Sequence, residues 1–261
     1  MKKTLLSLAV AACAALTCSA AQAGTVSVGA TPVPHAEILE FVKPLVAEKG
    51  VDLQIVEFND YVQPNLATDD GELNANYYQH RPYLETFIKD HGVNLVEVCG
   101  VHIEPMGVYS KSIKSLEELP EGATVAIPND PTNGGRALLL LASAGAITLA
   151  DPTDITCTVM DITENPKDLD IRELEAAQLP RSLDDVTAAV INTNYAMAAG
   201  MVPGRDAILI EGADSPYVNI LVANPDSAKL PDMKILQEAL NSPETRKFIE
   251  EKYQGAILPA F

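Results

Sequence analysis

The spacing of apolar residues changes period along the chain, and each change marks an element. Thr25 to Gly29 alternates polar and apolar before Ala30-Thr31-Pro32, which predicts a short strand running into a loop. Ile38, Leu39, Val42, Leu45 and Val46 then recur at helical spacing between Ala36 and Glu48, and Gly50 ends the run. Val51 to Phe58 reads as a second strand, so the chain opens in the β-α-β order of a parallel sheet. His35, at the mouth of this unit, reads as an exposed capping residue, with a ligand contact as the alternative. Beyond it the pattern predicts a short helix over Val62 to Thr68, a strand over Leu73 to Tyr78 and a helix over Leu84 to His91 closed by Gly92. Asn94 to Gly100 and His102 to Tyr109 read as two further strands, the second bent at Pro105.

Ser110 to Leu119 is polar and reads as a crossing into a second unit, which Thr124 to Ile127 opens as a strand. The strand breaks at Pro128, and after the turn Asn129 to Gly135 an apolar helix begins at Arg136 and runs through Ala144. Thr132 and Asn133 are candidate caps, and Gly134 and Gly135 would let a ligand approach the backbone. A helix N-terminus beside a guanidinium suits a carboxylate; a capped helix with Arg136 in solvent fits the same residues. Strands are predicted over Thr158 to Ile162, Leu169 to Leu174, Thr187 to Ile191 and Ala207 to Ile210, and a short helix over Ala196 to Met201. The buried strand Thr187 to Ile191 delivers Asn192-Thr193-Asn194-Tyr195 at its carboxyl end, where open α/β sheets place ligands. Ser215 to Asn219 reads as the return crossing, and Met233 to Leu240 and Glu244 to Tyr253 as terminal helices. Two α/β units joined by two crossings predict two lobes with a cleft between: residues 24–109 with 216–261, and residues 110–215.

Composition narrows the function. Met1-Lys2-Lys3, an apolar run from Leu5 to Ala15 and Ala21-Gln22-Ala23 form a secretory signal peptide with cleavage expected after Ala23. Val10-Ala11-Ala12-Cys13 resembles a lipobox, so acylation at Cys13 is the alternative to a freely diffusing exported protein. A net charge of −18 argues against nucleic acid and anionic lipid as partners. After cleavage Cys99 and Cys157 remain, a pair that an oxidising compartment permits to bridge. The sequence contains no GxSxG, HExxH, P-loop or CxxC motif, and its four histidines, His35, His80, His91 and His102, are scattered without metal-ligand spacing. Neither a cofactor nor a metal is expected. Tyr61, Tyr77, Tyr78 and Tyr83 crowd one stretch of a chain with only 5% aromatics, either as packing or as an amphipathic slot for an apolar side chain.

The segments FNDYVQPN (58–65), NANYYQHRPYL (74–84), YSKSIKSLEELPEG (109–122), VAIPNDPTNGGRALLLL (125–141), ENPKDL (164–169), LEAAQLPRSLDD (174–185), VINTNYA (190–196) and SPYVN (215–219) resemble the methionine-binding lipoprotein family, the MetQ/NlpA group. The resemblance covers almost the whole mature chain. It implies an α/β fold of the two-lobed periplasmic-binding-protein type II, each lobe a mixed sheet flanked by helices, and a monomeric binding subunit that delivers methionine to an ABC permease and ATPase, not an enzyme. Carried over by motif, it places the ligand side chain among Tyr61, Tyr78, His80 and Tyr83, and its polar end at Asn133, Arg136, Asn192 and Asn219, with the arginine fork holding the carboxylate at two points. Tyr78 stands where relatives often have Phe, and its hydroxyl needs a partner. The resemblance leaves open L-methionine, D-methionine, related derivatives or a methionine-containing dipeptide; another small apolar amino acid is the competing ligand. The usual lipidated Cys at the mature start is replaced here by Ala21-Gln22-Ala23-Gly24.

Overall fold

The computed structural model describes residues 24–212 and 215–261. The leader, with Cys13, Cys18 and the expected cleavage after Ala23, lies outside the described residues. In chain order the first part comprises β1 (Gly24–Ala30), α1 (Glu37–Ala47), β2 (Val51–Glu57), α2 (Gln63–Asp69), β3 (Ala75–His80), α3 (Arg81–His91) and β4 (Val96–Ile103). The middle comprises β5 (Gly107–Tyr109), β6 (Thr124–Pro128), α4 (Pro131–Ser143), β7 (Thr148–Leu149), β8 (Ile162–Glu164), β9 (Asp170–Leu174), α5 (Leu179–Ser182), β10 (Ala188–Ile191), α6 (Thr193–Ala198), α7 (Pro203–Asp206) and β11 (Leu209–Ile210). The chain then closes with β12 (Val218–Ala223), α8 (Pro231–Leu240), α9 (Pro243–Tyr253) and β13 (Leu258–Pro259).

Two mixed sheets result. The first has the order β13-β4-β12-β3-β1-β2 and the second β11-β5-β10-β6-β9. In the first, β1 pairs parallel with β2 and β3, and β12 inserts antiparallel between β3 and β4. In the second, β6 pairs parallel with β9 and β10, while β5 runs antiparallel to β10. Each sheet has apolar side chains on both faces. Val26, Val28, Tyr77, Cys99 and Val101 pack with residues of α1, α8 and α9, whereas Tyr78, Ile220 and Val222 pack with Tyr83, Leu84 and Phe87 of α3. The period of two along β3 produces this split: Tyr77 enters one core, and Tyr78 and His80 face the other side.

Several boundaries differ from the sequence reading for identifiable reasons. The stretch His102 to Tyr109 is two strands in different sheets, because Pro105 lacks an N–H and cannot continue the ladder. The crossing is therefore Glu104–Met106, ahead of the expected boundary at Tyr109. Ser110 to Leu119 is no crossing: Leu116 and Leu119 are buried in the core of the second sheet. Helix α3 starts at Arg81, with Pro82 in its first turn and His80 as its cap. Thr158 caps a single 3-10 turn, Val159–Asp161, and the strand begins only at Ile162.

The helix expected to open at Arg136 opens five residues earlier. Asp130 is the N-cap of α4, its carboxylate accepting from the Asn133 N–H at 2.9 Å, and Pro131 occupies the first turn. Arg136 thus lies in the second turn, and an acidic cap already occupies the helix N-terminus. The glycines serve packing within the protein rather than ligand approach: a Cβ on Gly135 would stand 2.4 Å from the Ile155 carbonyl oxygen, and one on Gly134 3.0 Å from that of Pro128. The expected Cys99–Cys157 bridge is absent. Both thiols are free, and each is buried in the core of a different sheet. Among the described residues no helix is long and apolar enough to cross a membrane.

Candidate functional site

The carboxyl ends of β3, β6 and β10 converge between the two sheets, and a cavity lies there. All eight residues singled out from the sequence line it: Tyr61, Tyr78, His80, Tyr83, Asn133, Arg136, Asn192 and Asn219. Gln79, Glu104, Thr193 and Asn194 complete the wall. Direct bonds tie the two sides across the cavity. The Tyr61 hydroxyl donates to Asn194 Oδ1 at 2.6 Å, and the Tyr195 hydroxyl donates to the Asn59 carbonyl at 3.2 Å.

At the aromatic end the hydroxyls of Tyr61, Tyr78 and Tyr83 are all taken up by bonds within the protein. Tyr78 and Tyr83 both donate to the Tyr61 carbonyl oxygen, at 2.7 and 2.9 Å, which satisfies the extra hydroxyl at Tyr78. Ring centroids of Tyr61 lie 5.7 Å from Tyr78 and 5.9 Å from Tyr83. Burial raises the phenol pKa of all three, so they remain neutral. The slot therefore offers π-faces and edges, the partners a thioether favours.

His80 joins this end to the polar one. Its Nδ1 accepts from the Tyr83 N–H at 3.2 Å, so the proton sits on Nε2, which donates to Asn133 Oδ1 at 3.0 Å. Burial, with the Arg136 charge nearby, pushes the imidazole pKa down to about 3. A neutral ring with one fixed tautomer follows. Asn133 has no group left over: its Oδ1 also accepts from Asn192 Nδ2 at 2.8 Å, and its own Nδ2 donates to both Asp130 oxygens at 3.0 Å. Asn133 therefore orients its neighbours rather than reaching into the cavity with a free donor. Asn192 is different. Its Oδ1 is buried and has no partner among the described residues.

Arg136 departs from the sequence expectation of a free fork. It is 3% exposed, and its Nε and Nη2 both bond Glu211, the Nε at 3.0 Å. Nη2 also donates to the Glu104 carbonyl at 2.7 Å, and the guanidinium carbon stands 4.1 Å above the Tyr217 ring. Only Nη1 keeps donors without a partner among the described residues. Glu211 additionally accepts from the Met106 N–H at 3.3 Å. Arg136 thus ties the crossing at Glu104–Met106 to the segment that leads into the return crossing.

Glu104 was not found from sequence, and it gathers two histidines. His102 Nε2 lies 2.8 Å and His35 Nε2 3.2 Å from its Oε1, while the Asn194 N–H donates to Oε2 at 3.0 Å. His35 is fully buried, not an exposed cap, and the histidines that are scattered in sequence meet here in space. These three side chains are the one metal-ligand-like cluster among the described residues. Three N–H donors on one carboxylate make it a hydrogen-bonded relay. Burial lowers the pKa of His35 to about 4 and of His102 to about 3, and raises that of Glu104. A signal for the missed residues existed: Asn194 stands in the same short segment as Asn192, just past the end of β10, and Tyr217 in the same SPYVN segment as Asn219. Nothing in the local pattern marked Glu104 or Glu211.

Two α/β lobes, each with a mixed sheet, and a cavity of rings and amides between them define a two-lobed substrate-binding protein. The solved structure of a nutrient binding protein from Burkholderia cenocepacia bound to methionine has this fold, with a TM-score of 0.87 and 47% identity over 90% of this chain and 100% of that one. The NlpA lipoprotein family model matches residues 26–261, and the chain belongs to that family. The probable D-methionine-binding lipoprotein MetQ of Vibrio cholerae is 43% identical over 266 residues, 99% of each chain. The D-methionine-binding lipoprotein MetQ of Escherichia coli K12 is 44% identical over 236 residues, covering 89% of this chain and 87% of that one.

Proposed function

We propose that this chain is the extracytoplasmic substrate-binding subunit of an ABC importer, that it holds methionine between its lobes, and that it hands the amino acid unchanged to a permease–ATPase complex. The observation that carries the reading is the match between the groups left open in the cavity and a zwitterion with a thioether. Asn192 Oδ1 is a buried acceptor without a partner, suited to the ligand ammonium. Arg136 Nη1 and Asn219 Nδ2 are donors without partners among the described residues, suited to the carboxylate. Tyr61, Tyr78 and Tyr83 take the side chain. The relatives' printed ligand, methionine or D-methionine, supports this assignment.

In this reading the lobes close about two crossings, one of them Glu104–Met106, and the bonds across the cavity fit a closed state. The chain reaches its compartment through the leader, with cleavage after Ala23; acylation at Cys13 would leave it tethered. Calorimetry of ligand-stripped protein with L-methionine, D-methionine, leucine and Gly-Met tests the assignment, methionine being expected to bind most tightly and to be recovered intact. Stronger binding of leucine or of the dipeptide, or chemical turnover of methionine, would refute it.

A further inference from the structure

Asn219, the second residue of β12, borders the cavity through a side chain that is held from behind. Its Oδ1 lies 3.0 Å from His35 Nε2. That imidazole is itself fixed at both nitrogens: Thr31 Oγ1 is 2.7 Å from Nδ1, and Glu104 Oε1 is 3.2 Å from Nε2. His35 has no exposed surface and packs edge-on against Tyr77, at 4.8 Å between centroids, and against His102 at 5.0 Å.

The proton can be placed from these partners. Buried and neutral, the ring carries one N–H. Nε2 faces the Glu104 carboxylate, which can only accept. Nδ1 faces a hydroxyl, which can donate. The proton therefore belongs on Nε2, and Thr31 donates to Nδ1. The same logic applies to His102, whose Nε2 faces Glu104 and whose Nδ1 takes the Tyr77 hydroxyl. With Nε2–H directed at it, the Asn219 amide must present its oxygen to His35. The reverse orientation would set its NH2 against another buried donor. Its Nδ2, without a partner among the described residues, is left for the cavity.

We infer that His35, oriented by Thr31 and Glu104, is a positioning residue that locks the Asn219 amide with its NH2 toward the ligand, so that this wall of the site selects a carboxylate or carbonyl oxygen. The inference rests on the reading of Asn219 as a ligand contact. His35 touches no ligand and acts only through Asn219. Its location, 184 residues away in the chain at the start of the first lobe, makes it a specificity determinant with no place in the cavity lining.

The test is a double-mutant cycle read by methionine calorimetry on full-length mature protein. His35→Leu removes the donor and is expected to weaken binding by about 10- to 100-fold, the size of one oriented buried hydrogen bond. His35→Gln, whose amide can donate to the same two oxygens, is expected to stay within about threefold of the parent. In the Asn219→Ala background His35→Leu should add less than about threefold. Equal losses in both backgrounds, or no loss on His35→Leu alone, would overturn the inference. If Asn219→Ala itself binds like the parent, the reading of Asn219 as a contact has failed, and the inference fails with it for that separate reason. Because His35→Leu can fail to fold, 15N NMR of the unaltered protein supplies a second arm: His35 is expected as the Nε2–H tautomer, and an Nδ1–H tautomer would overturn the inference.

Discussion

Replacing Arg136 by alanine should damage the fold before it reports on ligand. The guanidinium is 3% exposed and holds Glu211, whose side chain is 17% exposed, through two bonds. It also satisfies the Glu104 carbonyl and covers the Tyr217 ring. Breaking a buried pair by removing one partner costs about 3–5 kcal/mol, and the residual exposure of Glu211 places this one toward the lower end. The orphaned Glu104 carbonyl adds ~1 kcal/mol and the lost cation–π contact ~0.5–1 kcal/mol, partly overlapping with the first loss. A net loss of about 4 kcal/mol lowers the Tm of a chain this size by roughly 8–16 °C. The double variant Arg136→Met/Glu211→Gln removes both charges and should recover at least half of that loss. Methionine affinity should not recover, because the Nη1 donor is absent from both variants. Differential scanning calorimetry and titration calorimetry on the same samples separate the two effects. An Arg136→Ala protein that melts within about 2 °C of the parent would refute the hinge-tying role. A double variant that regains affinity along with stability would refute the ligand-contact role.

Three further outcomes follow from the same geometry. His35, His80 and His102 are held neutral by burial, at about 4, 3 and 3, so below pH 6.5 the unfolded chain takes up protons that the folded one refuses. Stability should therefore fall between pH 7 and 5 by ~2 kcal/mol per histidine, offset in part by Glu104, whose raised pKa lets the folded chain gain a proton first; denaturant unfolding at the two pH values checks this, and equal stability would contradict it. Gly135→Ala drives a Cβ into the Ile155 carbonyl and should destabilise by about 1–3 kcal/mol, measured by urea unfolding; a neutral effect would mean that the 155–157 segment yields freely. Cys99 and Cys157, buried with thiol pKa values raised to about 12 and about 11, should both resist alkylation in the native protein and both react on unfolding without reductant; a single bridge appearing by mass spectrometry would contradict the structure.

What the sequence revealed was what local pattern encodes. Alternation along β3 and the apolar β10 located the strands whose carboxyl ends carry His80 and Asn192, and the family motifs named eight of the twelve residues that line the cavity. The pairing state of those residues was not legible. Whether Arg136 is free or held depends on Glu211, 75 positions away, and whether Asn133 has a spare donor depends on the capping carboxylate of Asp130. His35 looked like an exposed cap because nothing beside it in sequence announces Glu104 or Asn219. The first crossing differs for a related reason: Pro105 reads locally as a bend in one strand, whereas sheet membership is decided by partners distant in sequence.

The interlobe cavity is expected to hold methionine. Native mass spectrometry of the mature protein, purified without added ligand, tests it most directly, since a tight binder carries its ligand through purification. A protein–small-molecule complex whose released ligand is unmodified methionine is expected, and its loss in the Asn219→Ala variant. Release of a different compound, or an empty protein that takes up no methionine when it is added, would contradict it.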